Sequence, residues 1–410
     1  MLKRVNLAKK SLDHYEEIVG AERVREIREL AAQLKGKTVA HINATSYGGG
    51  VSELLRSIVP LYRAFEVQAD WLVIPGTPEF FNVTKGFHNA LQGAVFNLTE
   101  EAKDTYLEQS RQVADLLSES YDFVVVHDPQ PAPLRHFRGA DRARWLWRCH
   151  IDTSQPNEEV LAFLMPFLVV YDKHVFTMEE FVPEQLKGHP HNIIPPGIDP
   201  VSVKNLTIPD HLRDEMIRST GVELDRPLIT QVSRFDPWKD PIGVIEVYRR
   251  IKDQVPGTQL ALLGQMALDD PQGWQMYDHI LAETAEDDDV HVLTNFTGIG
   301  NMEVNAFQTH SDVVLQKSLR EGFGLVVSEA LWKGSPVVGG RAGGIPLQMP
   351  PDIGGFLVDN IRECVERTVW TLSNPHKARE IAALGREHVR ENFLITRVVA
   401  DELALLTSLT

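Results

Sequence analysis

From Glu321 to Glu329 the chain reads EGFGLVVSE, and good helix formers continue as far as Lys333. The pattern predicts a loop that turns into a helix, with Gly322 and Gly324 letting a ligand approach the backbone closely. The free N–H groups of a first helical turn attract anions such as phosphate. A phosphate between the two glutamates would suit a ligand with a sugar at one end and a ribose at the other. A buried strand-to-helix turn with solvated glutamates fits the same stretch equally well.

On both sides of this motif, apolar strands alternate with helices, which is typical of a parallel sheet covered on both faces. The proline- and glycine-rich stretch 194–200 separates two such series, because it cannot continue a helix or strand. We therefore predict two doubly wound α/β domains, 1–195 and 196–384, with a helix of about 385–410 packing back on the first. The predicted strands are 38–43, 69–74, 123–127, 145–150, 228–232, 259–263, 290–293, 313–316 and 336–339, and the predicted helical stretches include 12–34, 51–65 and 376–406.

Composition limits the partners and the compartment. The 410 residues suggest two or three domains, and the net charge of −16 has no Lys/Arg cluster to offset it, so we expect neither nucleic acid nor a membrane as partner. Cys149 and Cys364 are far apart, which fits a reducing cytoplasm. No stretch approaches the roughly eighteen consecutive apolar residues of a membrane helix. The expected protein is soluble and cytoplasmic, and the sequence leaves open whether it forms a homodimer.

Two basic residues follow the predicted strand 228–232 at its carboxyl end. Arg234 offers a planar fork for phosphate oxygens, and Lys239 offers a point charge. If both reach one diphosphate, they can neutralise it as it departs. The alternative is that they are surface charges in salt bridges with Asp236 or Asp240.

The glycine run Gly48–Gly50 follows the strand 38–43 and precedes a helix. Its N–H groups could approach a phosphate, although such a run can also be only a tight turn, and the G-x-G-x-x-G spacing of dinucleotide-binding proteins is absent. The sequence also lacks a G-x-x-x-x-G-K-[ST] phosphate loop, a G-x-S-x-G nucleophile elbow and a clustered His/Cys/Asp metal motif.

Polar residues end two further strands of the first domain. His150 and Asp152 follow one strand, and the run from His127 through Asp128 to Gln130 follows another. Such residues can hydrogen-bond sugar hydroxyls at the carboxyl edge of a parallel sheet, where ligands bind in folds of this type. A single histidine there is also a common structural hydrogen-bonder.

Together these motifs resemble the retaining GT-B glycosyltransferases, a family that includes sucrose synthase, sucrose-phosphate synthase and trehalose synthases. The resemblance spans nearly the whole chain and places the motifs, with the turn 342–346, in the expected order. The runs 43–51, 127–130 and 316–324 are similar to the trehalose glycosyl-transferring synthases, and fungal-type trehalose phosphorylases look similar in the same places. One departure is Leu347, where many family members carry a glutamate.

The resemblance implies two Rossmann-like domains facing across a cleft that holds a nucleotide sugar. Arg234 and Lys239 would hold the diphosphate, Glu329 the ribose, and Glu321 the donor sugar's 3- and 4-hydroxyls, while His150 would contact its 6-hydroxyl. The implied catalytic residues are Arg234, Lys239, Glu321 and His150; the donor-binding residues are Gly48, Gly49, Gly322, Phe323, Gly324, Leu325 and Glu329; the acceptor-binding residues are Asp128, Gln130 and Asp152.

The activity that the resemblance implies is transfer of glucose from ADP-, UDP- or GDP-glucose to free glucose, giving α,α-trehalose with retention. No cofactor or metal is required, and added Mg²⁺ could stimulate the reaction. A trehalose phosphorylase, a related transferase with another sugar acceptor, and a silent two-domain sugar or nucleotide binder are the alternatives.

Overall fold

The computed structural model describes residues 2–140, 142–266 and 271–410, and the chain divides into two compact units. The N-terminal unit comprises the residues up to Gly197 together with Ile395–Thr410, and the C-terminal unit comprises Ile198–Leu394. Within the described residues, no helix has both the length and the apolar character that crossing a bilayer requires.

The N-terminal unit is built on a seven-stranded sheet in the order β1-β3-β2-β4-β5-β6-β7. The edge strand β1 pairs antiparallel with β3, and the other neighbours pair in parallel. Its elements are β1 (Lys3–Arg4), α1 (Asp13–Val19), α2 (Ala21–Ala32), β2 (Thr38–Asn43), α3 (Gly50–Ala64), β3 (Gln68–Val73), α4 (Pro78–Leu91), α5 (Glu100–Leu116), β4 (Phe123–His127), α6 (Leu134–Arg138), β5 (Arg144–Arg148), α7 (Glu158–Leu168), β6 (Lys173–Phe176) and β7 (His191–Ile193).

The C-terminal unit contains a six-stranded parallel sheet in the order β10-β9-β8-β11-β12-β13. Its elements are α8 (Asp210–Arg218), β8 (Leu228–Ser233), α9 (Pro241–Lys252), β9 (Gln259–Gly264), α10 (Pro271–Thr284), β10 (Val290–Thr294), α11 (Asn301–His310), β11 (Val313–Gln316), α12 (Leu325–Trp332), β12 (Val337–Gly340), α13 (Ile345–Gln348), β13 (Gly355–Val358), α14 (Ile361–Ser373) and α15 (Pro375–Asn392). The last helix of the chain, α16 (Ile395–Thr407), belongs to the N-terminal unit.

Successive residues of the buried strand β9 pack into different apolar clusters, as a sheet covered on both faces requires. In β9, Leu260 and Leu262 pack into one apolar cluster, and Ala261 and Leu263 pack into another. Residues at successive strand positions point to opposite faces, so each face of the sheet has its own layer of helices. The predicted doubly wound α/β fold is confirmed in both units.

Two predicted helical stretches are each two helices. The stretch 12–34 breaks at Gly20, which has φ +84° and separates α1 from α2. The stretch 376–406 breaks after Asn392, so that α15 packs against α12 in the C-terminal unit while α16 packs on α2 and α3 in the N-terminal unit. The segment that returns to the N-terminal unit therefore begins at Ile395 rather than near 385.

The short strands β1, β6, β7 and β13 were not predicted from the sequence. β1 is only Lys3–Arg4, and the other three have three or four residues that mix polar side chains or glycine with apolar ones, so no apolar pattern is long enough to predict them. They extend the sheets at their edges and do not change the layered architecture.

In each unit the strand order reverses at one pair of neighbours. In the C-terminal unit these neighbours are β8 and β11, and in the N-terminal unit they are β2 and β4. Ligands of open α/β sheets bind beyond the carboxyl ends of the strands at this switch point. The loops that follow these four strands carry most of the predicted site residues.

Candidate active site

Lys239 and Glu321 form the centre of the site in the C-terminal unit. Lys239 ends a short 3₁₀ turn that follows β8, and Glu321 lies in the loop that follows β11. The lysine Nζ lies 2.6 Å from both carboxylate oxygens of the glutamate. Their side chains are only 19% and 9% exposed, so this short ion pair is largely shielded from solvent.

The Glu321 carboxylate is oriented by two more side chains, one from the end of β11 and one from the loop that follows it. Gln316 Nε2 donates to Glu321 Oε2 at 3.3 Å, and the Ser318 hydroxyl donates to the same oxygen at 3.1 Å. Three donors therefore fix the position of one carboxylate before any ligand arrives.

A second ion pair holds the two loops together. Lys317 Nζ contacts Oδ2 of Asp240, and the backbone N–H of Leu319 donates to the carbonyl of Trp238 at 2.8 Å. Asp240 has φ +51° and also accepts the N–H of Gly243, which caps the first turn of α9. The turn that carries Lys239 is thus pinned on both sides.

Arg234 is not part of the ion pair between Lys239 and Glu321. Its side chain is 50% exposed, and its Nη2 atom is 3.5 Å from Oδ2 of Asp236. The salt bridge that the sequence offered as an alternative is therefore present but long and solvent-exposed, a geometry that contributes little stability. The guanidinium remains accessible to an anion at the end of β8.

The loop before α12 presents free backbone donors. Gly324 takes φ +82° and begins the helix, and the N–H groups of Leu325 and Val326 have no acceptor among the described residues. The predicted change from loop to helix after Glu321 is confirmed. Free N–H groups at a helix N-terminus attract anions, as the prediction required.

The glycine turn at 342–346 packs directly against this loop. A Cβ at Gly343, which has φ +50°, would lie 1.6 Å from the carbonyl oxygen of Glu321, so only glycine fits there. Gln348, shortly after the turn, accepts the N–H of Ser328 at 2.9 Å and donates to the carbonyl of Phe323 at 2.6 Å. One buried amide thereby joins the loop to the first turn of α12.

Glu329 lies inside the unit and is 1% exposed. Its carboxylate is 2.9 Å from Lys204 Nζ and accepts from Gln308 Nε2 at 3.3 Å. Beside it, burial lowers the pKa of Lys333 to about 7, although the charge of Glu329 opposes this shift. Since Glu321 is also only 8% exposed, the alternative of two solvated glutamates is wrong.

In the N-terminal unit, the glycine run opens the first turn of α3. Gly48 and Gly49 have φ values of +69° and +79°, and an added Cβ would meet no atom within 4 Å at either position. The glycines are therefore required by backbone conformation and not by crowding. The N–H groups of Gly50 and Val51 find no acceptor in the part of the chain that the structure describes, which leaves them available to an anion.

Three histidines form a hydrogen-bonded row at the end of the N-terminal sheet. His41 Nδ1 is 3.1 Å from His127 Nε2, and His127 Nδ1 is 2.9 Å from His150 Nε2. Burial and the nearby charge of Arg148 lower the pKa of His41 to about 3. Burial also holds the pKa values of His127 and His150 well below the ordinary range, so the row is neutral at physiological pH.

Asp128 supports this row from the loop after β4. It has φ +62°, and its Oδ1 accepts the backbone N–H of His150 at 2.8 Å. Burial raises the pKa of Asp128 to about 7, against the opposing effects of that hydrogen bond and of Arg148. The structure thus brings Asp128 and His150 together.

Asp152 and Gln130 are the other two residues predicted to bind the acceptor. The Asp152 Oδ1 atom accepts the N–H of Ser154 at 2.9 Å and its hydroxyl at 2.5 Å, which is a local turn. Gln130 is partly buried two positions beyond Asp128. Contact of either residue with an acceptor sugar stays a prediction.

The sequence reasoning did not find four residues that shape these sites: Lys317, Gln348, Lys204 and His41. His41 had a usable signal, because a histidine in the middle of an apolar strand needs a buried partner. The other three act through partners distant in the chain, which the sequence pattern does not reveal. Within the described ranges, no group of three or more His, Cys, Asp or Glu side chains is arranged to hold a metal ion.

Comparison with known families covers both units. A family model described as "Trehalose synthase, N-terminal domain" matches residues 41–183, and one described as "Glycosyl transferases group 1" matches residues 213–388. The first match contains the glycine run and the histidine row, and the second contains Arg234, Lys239 and both glutamates.

Among curated proteins, a trehalose synthase from Rubrobacter xylanophilus is 49% identical, over 100% of this chain and 99% of its own length. A trehalose phosphorylase from Pleurotus pulmonarius is 29% identical, over 84% of this chain and 54% of its own length.

Among solved structures, a sucrose-phosphate synthase from Thermosynechococcus elongatus aligns with TM-score 0.72 and 18% identity, covering 91% of this chain and 99% of that one. A structure described as trehalose-6-phosphate from E. coli bound with UDP-2-fluoro glucose aligns with TM-score 0.74 and 14% identity, with the same two coverages. These likenesses show the GT-B fold. On its full-length identity to a curated relative, the chain belongs to the trehalose synthase family and is a trehalose-related hexosyltransferase.

Proposed function

We propose that this protein transfers glucose from a nucleoside diphosphate glucose to free glucose and forms α,α-trehalose with retention at the donor carbon. The observation that carries the proposal is the buried pair of Lys239 and Glu321 beside the free N–H groups of Leu325 and Val326. A cation and a helix N-terminus suit a diphosphate, and the adjacent carboxylate suits sugar hydroxyls.

In this proposal, the donor diphosphate binds against Lys239, Arg234 and the first turn of α12. The Glu321 carboxylate then accepts hydrogen bonds from the 3- and 4-hydroxyls of the donor glucose. Because Gln316 and Ser318 already hold that carboxylate, binding the sugar does not require it to be reoriented. Positioned charges of this kind stabilise a departing diphosphate without reorganisation at the moment of reaction.

The bond between the anomeric carbon and the diphosphate oxygen breaks as the bond from the acceptor's anomeric oxygen forms on the same face of the sugar. The proton of the acceptor hydroxyl passes to the departing phosphate oxygen. Lys239 and Arg234 neutralise the charge that develops on the diphosphate, which is a task that Mg²⁺ in solution could share. No protein nucleophile takes part in this step.

The N-terminal unit supplies His150, which we assign to a hydroxyl of the donor sugar, and Asp128, which we assign to the acceptor. Their support is the local geometry, in which the Asp128 carboxylate holds the His150 backbone. The similarity to a structure bound with UDP-2-fluoro glucose supports a nucleotide-sugar donor for this chain as well.

A trehalose phosphorylase is the second candidate, and one observation favours it. Glu329, the residue expected to bind the ribose, is buried and already paired with Lys204 and Gln308. A phosphorylase uses inorganic phosphate and needs no ribose contact. The 29% identity to a fungal trehalose phosphorylase is consistent with this reading.

The product decides between the two candidates. We would incubate the protein with ¹³C1-labelled nucleoside diphosphate glucose and unlabelled glucose, and follow the anomeric carbons by NMR. The transferase predicts a labelled α,α-linked disaccharide and free nucleoside diphosphate. Trehalose breakdown to α-glucose 1-phosphate with phosphate, and no disaccharide from the nucleotide sugar, would establish the phosphorylase instead.

The Glu329→Gln variant gives a second criterion. Under the transferase proposal, it raises the KM for the nucleotide sugar, because the ribose contact is lost. Under the phosphorylase alternative, the KM for phosphate stays the same. The Lys252→Met variant, which breaks a pair with Asp287 ahead of β10, is the control for general destabilisation.

A further inference from the structure

The histidine row in the N-terminal unit connects a buried strand position to the end of the sheet. His41 and His127 are 0% and 1% exposed, and both lie in parallel neighbours, β2 and β4. His150 follows β5 and is only partly buried. Two ring-to-ring hydrogen bonds, of 3.1 and 2.9 Å, link the three side chains in series.

A neutral imidazole has one N–H donor and one bare acceptor nitrogen, so a hydrogen bond on one nitrogen fixes the role of the other. The two bonds must therefore run in the same direction. In the outward direction, from His41 towards His150, each ring donates through Nδ1. In the inward direction, from His150 towards His41, each ring donates through Nε2. The neutrality of the row follows from burial and from the charge of Arg148, which disfavours a proton on His41, His127 and His150 alike.

The buried end of the row distinguishes the two directions. Nε2 of His41 is shielded from solvent and has no hydrogen-bond partner among the described residues. In the inward direction this nitrogen would be a buried N–H without an acceptor, which is rarer and more costly than a bare lone pair. The charge of Arg148 also favours a lone pair on His41 over a proton.

At the other end, Nδ1 of His150 is free. It has no hydrogen-bond partner in the described part of the chain, and it is not among the nitrogens that are fully shielded from solvent. In the outward direction, His150 Nε2 accepts from His127, so that His150 Nδ1 carries the remaining proton.

We propose that His41 and His127 are positioning residues that lock His150 in its Nδ1–H tautomer, so that it presents a hydrogen-bond donor to an oxygen atom of the bound sugar. The assignment of a sugar as the ligand rests on the proposed function, whereas the locked tautomer does not. Since the whole row stays neutral, His150 acts as a fixed dipole and not as a proton acceptor.

The direct test is NMR of the ¹⁵N-histidine-labelled protein at neutral pH. Long-range ¹H–¹⁵N correlations show which ring nitrogen carries the proton, and the His150→Gln variant assigns the signals. We expect His150, His127 and His41 to be Nδ1–H tautomers, opposite to the tautomer that a neutral histidine in water prefers. An Nε2–H tautomer on His150, or a charged row, would overturn the proposal.

Two variants at position 127 test the role in catalysis. The amide nitrogen of His127→Asn takes the place of Nδ1 and can still donate to His150, whereas His127→Leu cannot. We expect the leucine variant to lose at least about tenfold in kcat with little change in the donor KM, and the asparagine variant to recover most of that loss.

The matched control is His174→Leu. His174 is equally buried, on the neighbouring strand β6, but its Nε2 bonds to the backbone carbonyl of Leu168 and is not part of the row. An equal loss of kcat in the leucine variants at 127 and 174, or no recovery with asparagine, would contradict the positioning role. If no donor reacts at all, the proposed function fails, while the NMR result still decides the tautomer.

Discussion

Lys239 Nζ lies 2.6 Å from both carboxylate oxygens of Glu321, and the two residues are brought together from loops that follow different strands. Each depends on the other, because a shielded charge that loses its partner is strongly destabilised. In the proposed reaction, the Lys239 ammonium binds the diphosphate, and the adjacent Glu321 carboxylate binds the sugar hydroxyls. The proposed reaction requires the two residues to perform both functions together as one ion pair.

Replacing either member of this pair should lower kcat/KM nearly as much as replacing both. We expect Lys239→Met and Glu321→Gln each to lower kcat/KM by about 100-fold or more. The kcat/KM of the double variant should be no lower than that of the less active single variant. Steady-state kinetics on the four proteins of this double-mutant cycle measures the coupling.

The control is the exposed pair of Lys187 and Glu184, which has the same 2.6 Å separation. Variants of that pair should leave the rate unchanged, because its side chains are 53% and 81% exposed and belong to the N-terminal unit, whereas Lys239 and Glu321 belong to the C-terminal unit. Multiplicative losses for Lys239 and Glu321 would show that the two act independently and would refute the paired mechanism.

Arg234 should matter for the rate and not for folding. Its side chain is half exposed with one long contact to Asp236, so Arg234→Ala should change the free energy of unfolding by no more than about 0.5 kcal/mol. We expect kcat to fall by about 100-fold, because a donor to the departing diphosphate is lost.

Arg249→Ala is the matched comparison, since that side chain is 49% exposed and pairs with Glu283 at 3.1 Å. Urea unfolding and turnover should be measured on both variants. If Arg234→Ala retained near-normal turnover, the diphosphate assignment of Arg234 would be wrong.

Lys317 should influence the reaction by holding the turn Pro237–Lys239 in place through its ion pair with Asp240. Its pair with Asp240 is largely buried and adjoins Lys239 in the chain. We expect Lys317→Met to lower kcat about tenfold, because the Lys239 turn loses one of its two attachments. Lys252→Met breaks a lysine–aspartate pair remote from the site and should leave kcat unchanged. Equal rates for the two variants would show that Lys317 does not support the Lys239 turn in catalysis.

Asp128 should make stability depend on pH in a defined window. Burial raises the pKa of Asp128 to about 7, so between about pH 4 and pH 7 the folded protein holds a proton that the unfolded chain has lost. This contribution is complete below pH 4 and is lost as the pH rises through 7. The free energy of unfolding of the wild type, relative to Asp128→Asn, should therefore fall by on the order of 3 kcal/mol between pH 4 and pH 8.

Asp122→Asn is the control with the opposite sign. Partial burial raises the pKa of Asp122, but hydrogen bonds from Thr38 and Lys37 outweigh burial, and the pKa lies below its ordinary value. Its stabilising effect is lost only in acid, so the difference between Asp122→Asn and wild type should be constant from pH 5 to pH 8. A constant difference for Asp128→Asn over the same range would contradict the raised pKa.

The sequence predicts the sheets well because their central strands are continuous apolar runs. The strands at 123–127 and 313–316 have the bounds that the structure gives to β4 and β11. The four strands that escape prediction, β1, β6, β7 and β13, have only two to four residues each. The helix breaks at Gly20 and after Asn392 depend on local backbone angles and on packing partners that an apolar period does not encode.

The site is predictable only as far as its residues belong to motifs. Lys239 was expected at the diphosphate and Glu321 at the donor sugar, but their mutual contact depends on β8 and β11 being neighbours in the sheet. The same is true of His41 and His127 on β2 and β4. The burial of Glu329 beside Lys204 follows from tertiary packing, which cannot be predicted from residue spacing in the sequence.

The proposed glucosyl transfer is best tested by measuring nucleoside diphosphate release from UDP-, ADP- and GDP-glucose, each with and without free glucose. We expect release that depends on glucose with at least one donor and that is nearly abolished in the Lys239→Met variant. Release that is absent with every donor, together with phosphate-dependent breakdown of trehalose by the same preparation, would contradict it.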